Sequence, residues 1–320
     1  MNTMKWLVKR EFWEHKGGFF WTPAVIGGVI VTAIAVMVTV LLSIGSKHGL
    51  TFNGAQITNL SHAVDAAEHT HLVSAASQGY IAFAIPLFFV MAVVVFFYCL
   101  GNLFDERKDR SVLFWKSLPV SDGETVLSKL AMALVAAPLI TLAFGFVTSL
   151  AVLIIGLIGA AASGLNLSGV FLSASTYTAP FEIAAMIPVY IVWALPTAGW
   201  LMMVSAWART KVFLWAVGVP VITAVLISWF DAMFDFNLNV EWFWKNIVGR
   251  GLLSVFPGSW FAFVDPAGGM QIEHKNDMDF GFLALQSWKT LASLNAWIGA
   301  AIGASMIYAA ARLRRWKDEG

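Results

Sequence analysis

Charge is what this chain has least of. Asp, Glu, Lys and Arg make up 12% of its 320 residues, against roughly 25% in an ordinary soluble domain. With half the usual density, a chain of this length cannot cover a water-facing surface, which argues against a soluble globular enzyme and makes the bilayer the expected solvent. Cysteine is nearly missing as well: Cys99 stands alone inside an apolar run, so no intrachain disulfide framework can form. A net charge of +1 excludes a large basic face, and with it a nucleic-acid partner, and also an acidic tail.

Reactive groups at membrane depth are missing too. None of the six histidines lies in a long apolar run: His48, His62, His69, His71 and His274 fall in connections, and His15 near the N-terminus. Without H-E-x-x-H or paired intramembrane carboxylates, hydrolysis inside the membrane has no means of generating its nucleophile. Glu182, at the mouth of the fourth apolar run, reads as an interfacial carboxylate. The phosphate-cradling pattern G-x-x-x-x-G-K-[ST] is absent, and so is any Gly-Lys pair, so nucleotide chemistry would have to sit on another chain.

What is present is apolar length. Crossing about 30 Å of hydrocarbon takes roughly 20 helical residues. Six charge-free runs meet that need: Pro23 to Ile44, Ile81 to Leu103, Leu130 to Ile158, Ile183 to Trp207, Val212 to Phe230 and Thr290 to Ala311. The expected fold is an all-α polytopic membrane protein, a single domain over residues 1–320. It has six transmembrane helices, an N-terminal interfacial helix and a long external connection between helices five and six. Pro138 predicts a kink or a separate interfacial piece early in the third run, and Pro188, Pro196 and Pro220 predict kinks in the fourth and fifth. Residues 1–16 resemble no cleaved signal. Met4, Val8 and Phe12 share one helical face, with Lys5, Lys9, Arg10, Glu14 and Lys16 around the rest, which predicts a helix lying on the membrane surface with Trp6 and Trp13 at headgroup depth.

The net charge is a cancellation. Six spans put both termini on one side, where the loops carry 15 basic and 9 acidic residues, +6 in all. The opposite loops carry 5 basic and 10 acidic, −5. The excess of Lys and Arg predicts that the side with the termini is cytoplasmic. The external connections are then residues 45–80, 159–180 and 231–289. Within the last, Gly251 to Val264 is too short to span and reads as re-entrant or interfacial.

Two candidate sites emerge. In the first external connection, His62, Asp65, Glu68, His69 and His71 combine imidazole and carboxylate as zinc or copper sites do. His62, Asp65 and His69 would share a helix face. Nothing identifiable holds the imidazoles in place, so a solvated amphipathic segment is the favoured reading and no metal is assigned. The second candidate is the internal loop over residues 105–128. Mixed charges at Asp105 to Arg110 precede an amphipathic Ser111 to Leu118 segment, and Leu118-Pro119-Val120-Ser121 then makes a turn. Ser121 is placed to cap the next helix, with Glu124 completing a capping box.

This loop resembles the one after the second span in the membrane subunits of ABC-2 type exporters. There, E-R-x-x-(G/R)-(S/T)-x-x-x-L-x-(S/A)-(L/T)-P-(V/I)-(S/T) is followed by a Lys in the third span. Glu106, Arg107, Ser111, Leu118, Pro119, Val120, Ser121 and Lys129 match, while Asp122-Gly123 departs where a basic residue is common. Trp6-Leu-Val-Lys-Arg-Glu11 with Glu14 is similar to the start of such permeases. The resemblance covers roughly the whole chain. It implies the permease subunit of an ATP-binding cassette exporter in a bacterial cytoplasmic (inner) membrane. Such a subunit pairs with a second permease subunit, expected to be a copy of itself, and with a separate ATPase subunit that binds ATP and Mg. This chain would then have no catalysis or cofactor of its own. The matched residues would dock on the ATPase and transmit its closure. Two other classes compete: a membrane scaffold or sensor that uses the external His-bearing segment, and a secondary transporter, which the lack of buried ionisable groups disfavours.

Two stripes remain. Trp193, Trp200 and Trp207 recur every seven residues and fit either a cavity wall or, preferably, helix packing or a lipid-facing stripe. Gly299 and Gly303, beside Ala300 and Ala304, give the sixth span a small-residue face for close packing, within the chain or against a second copy.

Overall fold

The computed structural model describes residues 3–48, 50–52, 55–57, 66–109, 120–236, 238–264 and 280–317. Six helices among them are long and apolar enough to cross a membrane: Gly17–Ile44, Glu68–Lys108, Asp122–Ala162, Ala174–Trp207, Leu214–Phe234 and Leu294–Trp316, here spans one to six. The protein is therefore an all-α polytopic membrane protein. The extended pairing among the described residues is in the first connection, where Leu50–Phe52 and Ala55–Ile57 form a short antiparallel ribbon.

Each span that starts at the end bearing the termini opens with the same device. A π-helical turn at Gly17–Trp21, Met132–Ala136 or Leu214–Gly218 immediately precedes a helix with proline in its first turn, at Pro23, Pro138 or Pro220. Proline has no N–H for the carbonyl four residues back and crowds it, and a wider turn relieves both problems without breaking the helix. The third span thus runs on through Pro138 with no separate interfacial piece. At span five the orphaned carbonyl belongs to Ala216, and the indole N–H of Trp200 in span four donates to it at 2.9 Å. In the fourth span Pro196 lies inside Ile187–Trp207, and a break at Met186 separates that helix from Ala174–Ala185.

Span four is the central helix. Some 61% of its most apolar window is buried, against 6% for spans one and five, which lie at the periphery. Its burial follows from small side chains. A Cβ added at Gly199 would stand 2.4 Å from the carbonyl oxygen of Gly303 in span six, and one at Gly303 would meet the Leu195 backbone at 2.5 Å. The small-residue face of the sixth span is thus used within the chain, with Ala300 buried and Ala304 left exposed. Trp193 is wholly buried, Trp200 is partly so, and Trp207 lies edge-on to Trp215 at 5.0 Å. The stripe packs at Trp193 and Trp200, while Trp207 stays exposed beside Trp215.

The connection after span five folds back into the bundle. Helical residues 240–253 turn through 254–259 into Trp260–Phe263. Thr197, about 15 Å along its helix from Ile187 at 1.5 Å per residue, donates to the carbonyl of Arg250 at 3.0 Å and accepts from the Ser254 N–H at 3.1 Å. The segment packs as a hairpin against span four.

Candidate functional site

The described ion pairs gather at the end of the bundle that holds the termini. The N-terminal helix, Thr3–Glu14, lies across this end. Trp6 and Trp13 are more than half exposed, each under a lysine (Lys9 and Lys16) in cation–π contact. Its fully buried side chains are Leu7 and Glu11, one turn apart, so the face turned to the bundle contains a carboxylate. Val8 and Phe12 only flank it.

Glu11 has no exposure at all. Both its oxygens accept from the Lys129 ammonium, at 3.1 and 3.0 Å, and Oε2 also accepts from the Tyr98 hydroxyl at 2.9 Å. Arg10 pairs with it from the next position. Burial alone would raise its pKa. The Lys129 and Arg10 charges and their hydrogen bonds outweigh that, and the carboxyl is held below its ordinary value of 4.5. Lys129, 1% exposed, also pairs at 3.0 Å with Glu106, which Arg314 reaches from span six at 2.9 Å. Arg314 also pairs with Asp122 at 3.2 Å, and Arg10, 3.6 Å from Glu106, closes the circuit back to Glu11. Glu11, Glu106 and Asp122 with Lys129, Arg10 and Arg314 thus join the N-terminal helix, the end of span two, the start of span three and the end of span six, and the half-exposed Glu14 adds a further pair with Arg10 at 3.5 Å. Charges as buried as Glu11 and Lys129 are tolerated only when paired.

Arg107 faces span four instead. Its guanidinium donates to the carbonyls of Ser205 and Ala208, the latter at 2.9 Å, and the Ser205 hydroxyl accepts from the N–H groups of Leu103 and Phe104. These contacts satisfy carbonyls at the C-terminus of span four. The capping box forms as the spacing predicts: Ser121 Oγ accepts from the Glu124 N–H at 3.2 Å, and Glu124 Oε2 accepts from the Ser121 N–H at 3.0 Å. Beside it, a cleft of about 590 Å³ lies between the start of span three and the end of span six, walled by Val120, Ser121, Gly123, Tyr308, Arg312 and Arg315.

Among the sequence-derived residues, the structure brings Glu106 and Lys129 into one network, puts Arg107 next to it, and sets Val120 and Ser121 on the cleft. Ser111, Leu118 and Pro119 lie outside the described residues. Sequence reasoning gave no buried partner role to Glu11, Asp122 or Arg314. Glu11 carried the only signal, a carboxylate one turn from Leu7 on an otherwise basic helix. It also placed Arg250 in an external loop, whereas the guanidinium is buried under the hairpin. There it sits over the Trp193 ring at 4.9 Å and donates to Asn295, with no carboxylate in ion-pair reach among the described residues. The hint was its position immediately before the apolar Gly251 to Val264 run.

Of the metal candidates, His62 lies outside the described residues. His69 Nε2 lies 2.6 Å from the carbonyl oxygen of Asn166, and among the described residues neither it nor His71 gathers with other ligands. The only described group with metal-like spacing is Glu11, Glu14 and His15, in which Glu11 is already committed to Lys129. No protein-family model, curated protein or solved structure matches this chain.

Proposed function

We propose that this chain is the permease subunit of an ATP-driven exporter, sited in a bacterial inner membrane with both termini in the cytoplasm. Two such subunits form the pathway, and a separate ATPase subunit binds ATP and Mg. The observation that carries this reading is the buried ion-pair circuit, whose members flank residues 110–119 on both sides. A push on that loop reaches Glu106 at the end of span two and Lys129 near the start of span three. Through their shared partners it also reaches the N-terminal helix and span six. Separating any pair would leave a buried charge uncompensated, so the elements move as one body. Glu106, Arg107 and Lys129 spend their charges inside the chain, which suits transmission better than direct contact. The exposed Val120–Ser121 edge and its cleft are the docking surface. The weakly buried span five, with Trp229, Phe230 and Phe234 outward, supplies apolar area for the second permease.

The test uses the exposed rim. Arg315→Glu should reduce co-purification of the ATPase with the tagged chain while leaving the thermal midpoint unchanged. Undiminished recovery of the ATPase would remove the docking assignment.

A further inference from the structure

At the other end of the bundle, spans two and four, the hairpin and the helix Phe280–Thr290 enclose a cavity of about 750 Å³, within the size range of small-molecule sites. Its walls include Ile85, Phe89, Ile187, Leu253, Trp260 and Leu283. Few polar groups surround it. The Trp260 indole N–H donates to Ser287 at 3.1 Å, Ser259 donates to the Ser254 carbonyl, and the buried Tyr190 hydroxyl is the one lining side-chain group without a hydrogen-bond partner among the described residues. Water held there would find almost no partners, and an apolar void stays dry. An empty void of this size leaves the surrounding atoms without dispersion contacts. The back wall is deep, with Ile187 at 9% and Trp260 at 2% exposure. Ile85, Phe89 and Leu253 are each more than half exposed, so the mouth opens sideways through apolar side chains.

We infer that this cavity is a binding site for one acyl chain of a bilayer phospholipid, entering sideways from the leaflet at that end. Ile85 and Phe89 on its rim belong to the apolar length of span two, so the pocket opens beside a span toward hydrocarbon, and an acyl chain fills it without burying a polar headgroup. The site stands whether or not the chain is a transporter subunit.

The test is photolabelling of the full chain in phosphatidylcholine nanodiscs that contain a small fraction of phosphatidylcholine with a mid-chain diazirine. Spans one and five, bathed in lipid, serve as the internal reference. Labelling should concentrate on peptides with Phe89, Trp260 and Leu283. Leu283→Trp, which narrows the cavity at its wall, should cut labelling at Phe89 and Trp260 several-fold and leave spans one and five unchanged, which also verifies the fold. Native mass spectrometry of the wild type after detergent extraction should show one phospholipid retained per chain. Labelling no denser than on spans one and five, or unchanged by the narrowed cavity, would overturn the site. So would retention of no phospholipid, or of another amphiphile in its place.

Discussion

Lys129 is the residue on which the site's energetics converge, because it compensates two buried carboxylates at once. Removing one partner of a buried pair typically costs about 3–5 kcal/mol, chiefly as the penalty of stranding the other charge. Lys129→Met should therefore lower the unfolding free energy in detergent by about that amount, and adding Glu11→Gln should recover part of the loss, which a denaturation series on the single and double variants would show. The pH dependence has a definite sign. Glu11 has a depressed folded-state pKa, so its stabilisation is fully present above 4.5 and is lost as pH falls through the lower folded value. The gap between wild type and Glu11→Gln should hold through neutral and mildly acidic pH and close only below that range. A gap already closing near neutrality would show that Glu11 is not held ionised by Lys129.

At the scale of elements, spans four and six are joined by backbone contact at Gly199 and Gly303. A methyl at either position meets main-chain atoms rather than a side chain that can swing aside. Gly303→Ala should thus cost about 1–3 kcal/mol, as overpacking does, with a matching drop in thermal midpoint. Ala304→Val on the exposed side of the same helix should leave the midpoint unchanged. Much at this scale was legible in the sequence. Charge-free length located all six spans, and the Ser121–Glu124 spacing located a helix start, because both signals are local. The burial of Glu11 and Arg250 was not legible, since a charged residue next to an apolar run reads as surface until its partner, 118 residues away for Glu11, is brought beside it. The π-helical turns escaped for a related reason. Proline marks where a helix must yield, but the surrounding packing decides whether it kinks, breaks or widens.

For the whole molecule, the distribution of charge and burial divides the chain by depth. One end carries a closed circuit of ion pairs beside a polar cleft, and the other carries a hairpin folded back into the bundle beside an apolar cavity. The middle is a small-residue helix pair around Trp193. On the permease reading proposed above, the end with the ion pairs is the one that would receive force from the ATPase subunit. The claim is tested most directly by ATP hydrolysis in proteoliposomes containing the complex purified through a tag on this chain. If the chain is the permease, the preparation contains an ATP-binding cassette subunit, and its hydrolysis falls when Lys129→Met replaces the wild type at equal ATPase content. A preparation with no ATPase subunit, or hydrolysis indifferent to Lys129, would contradict it.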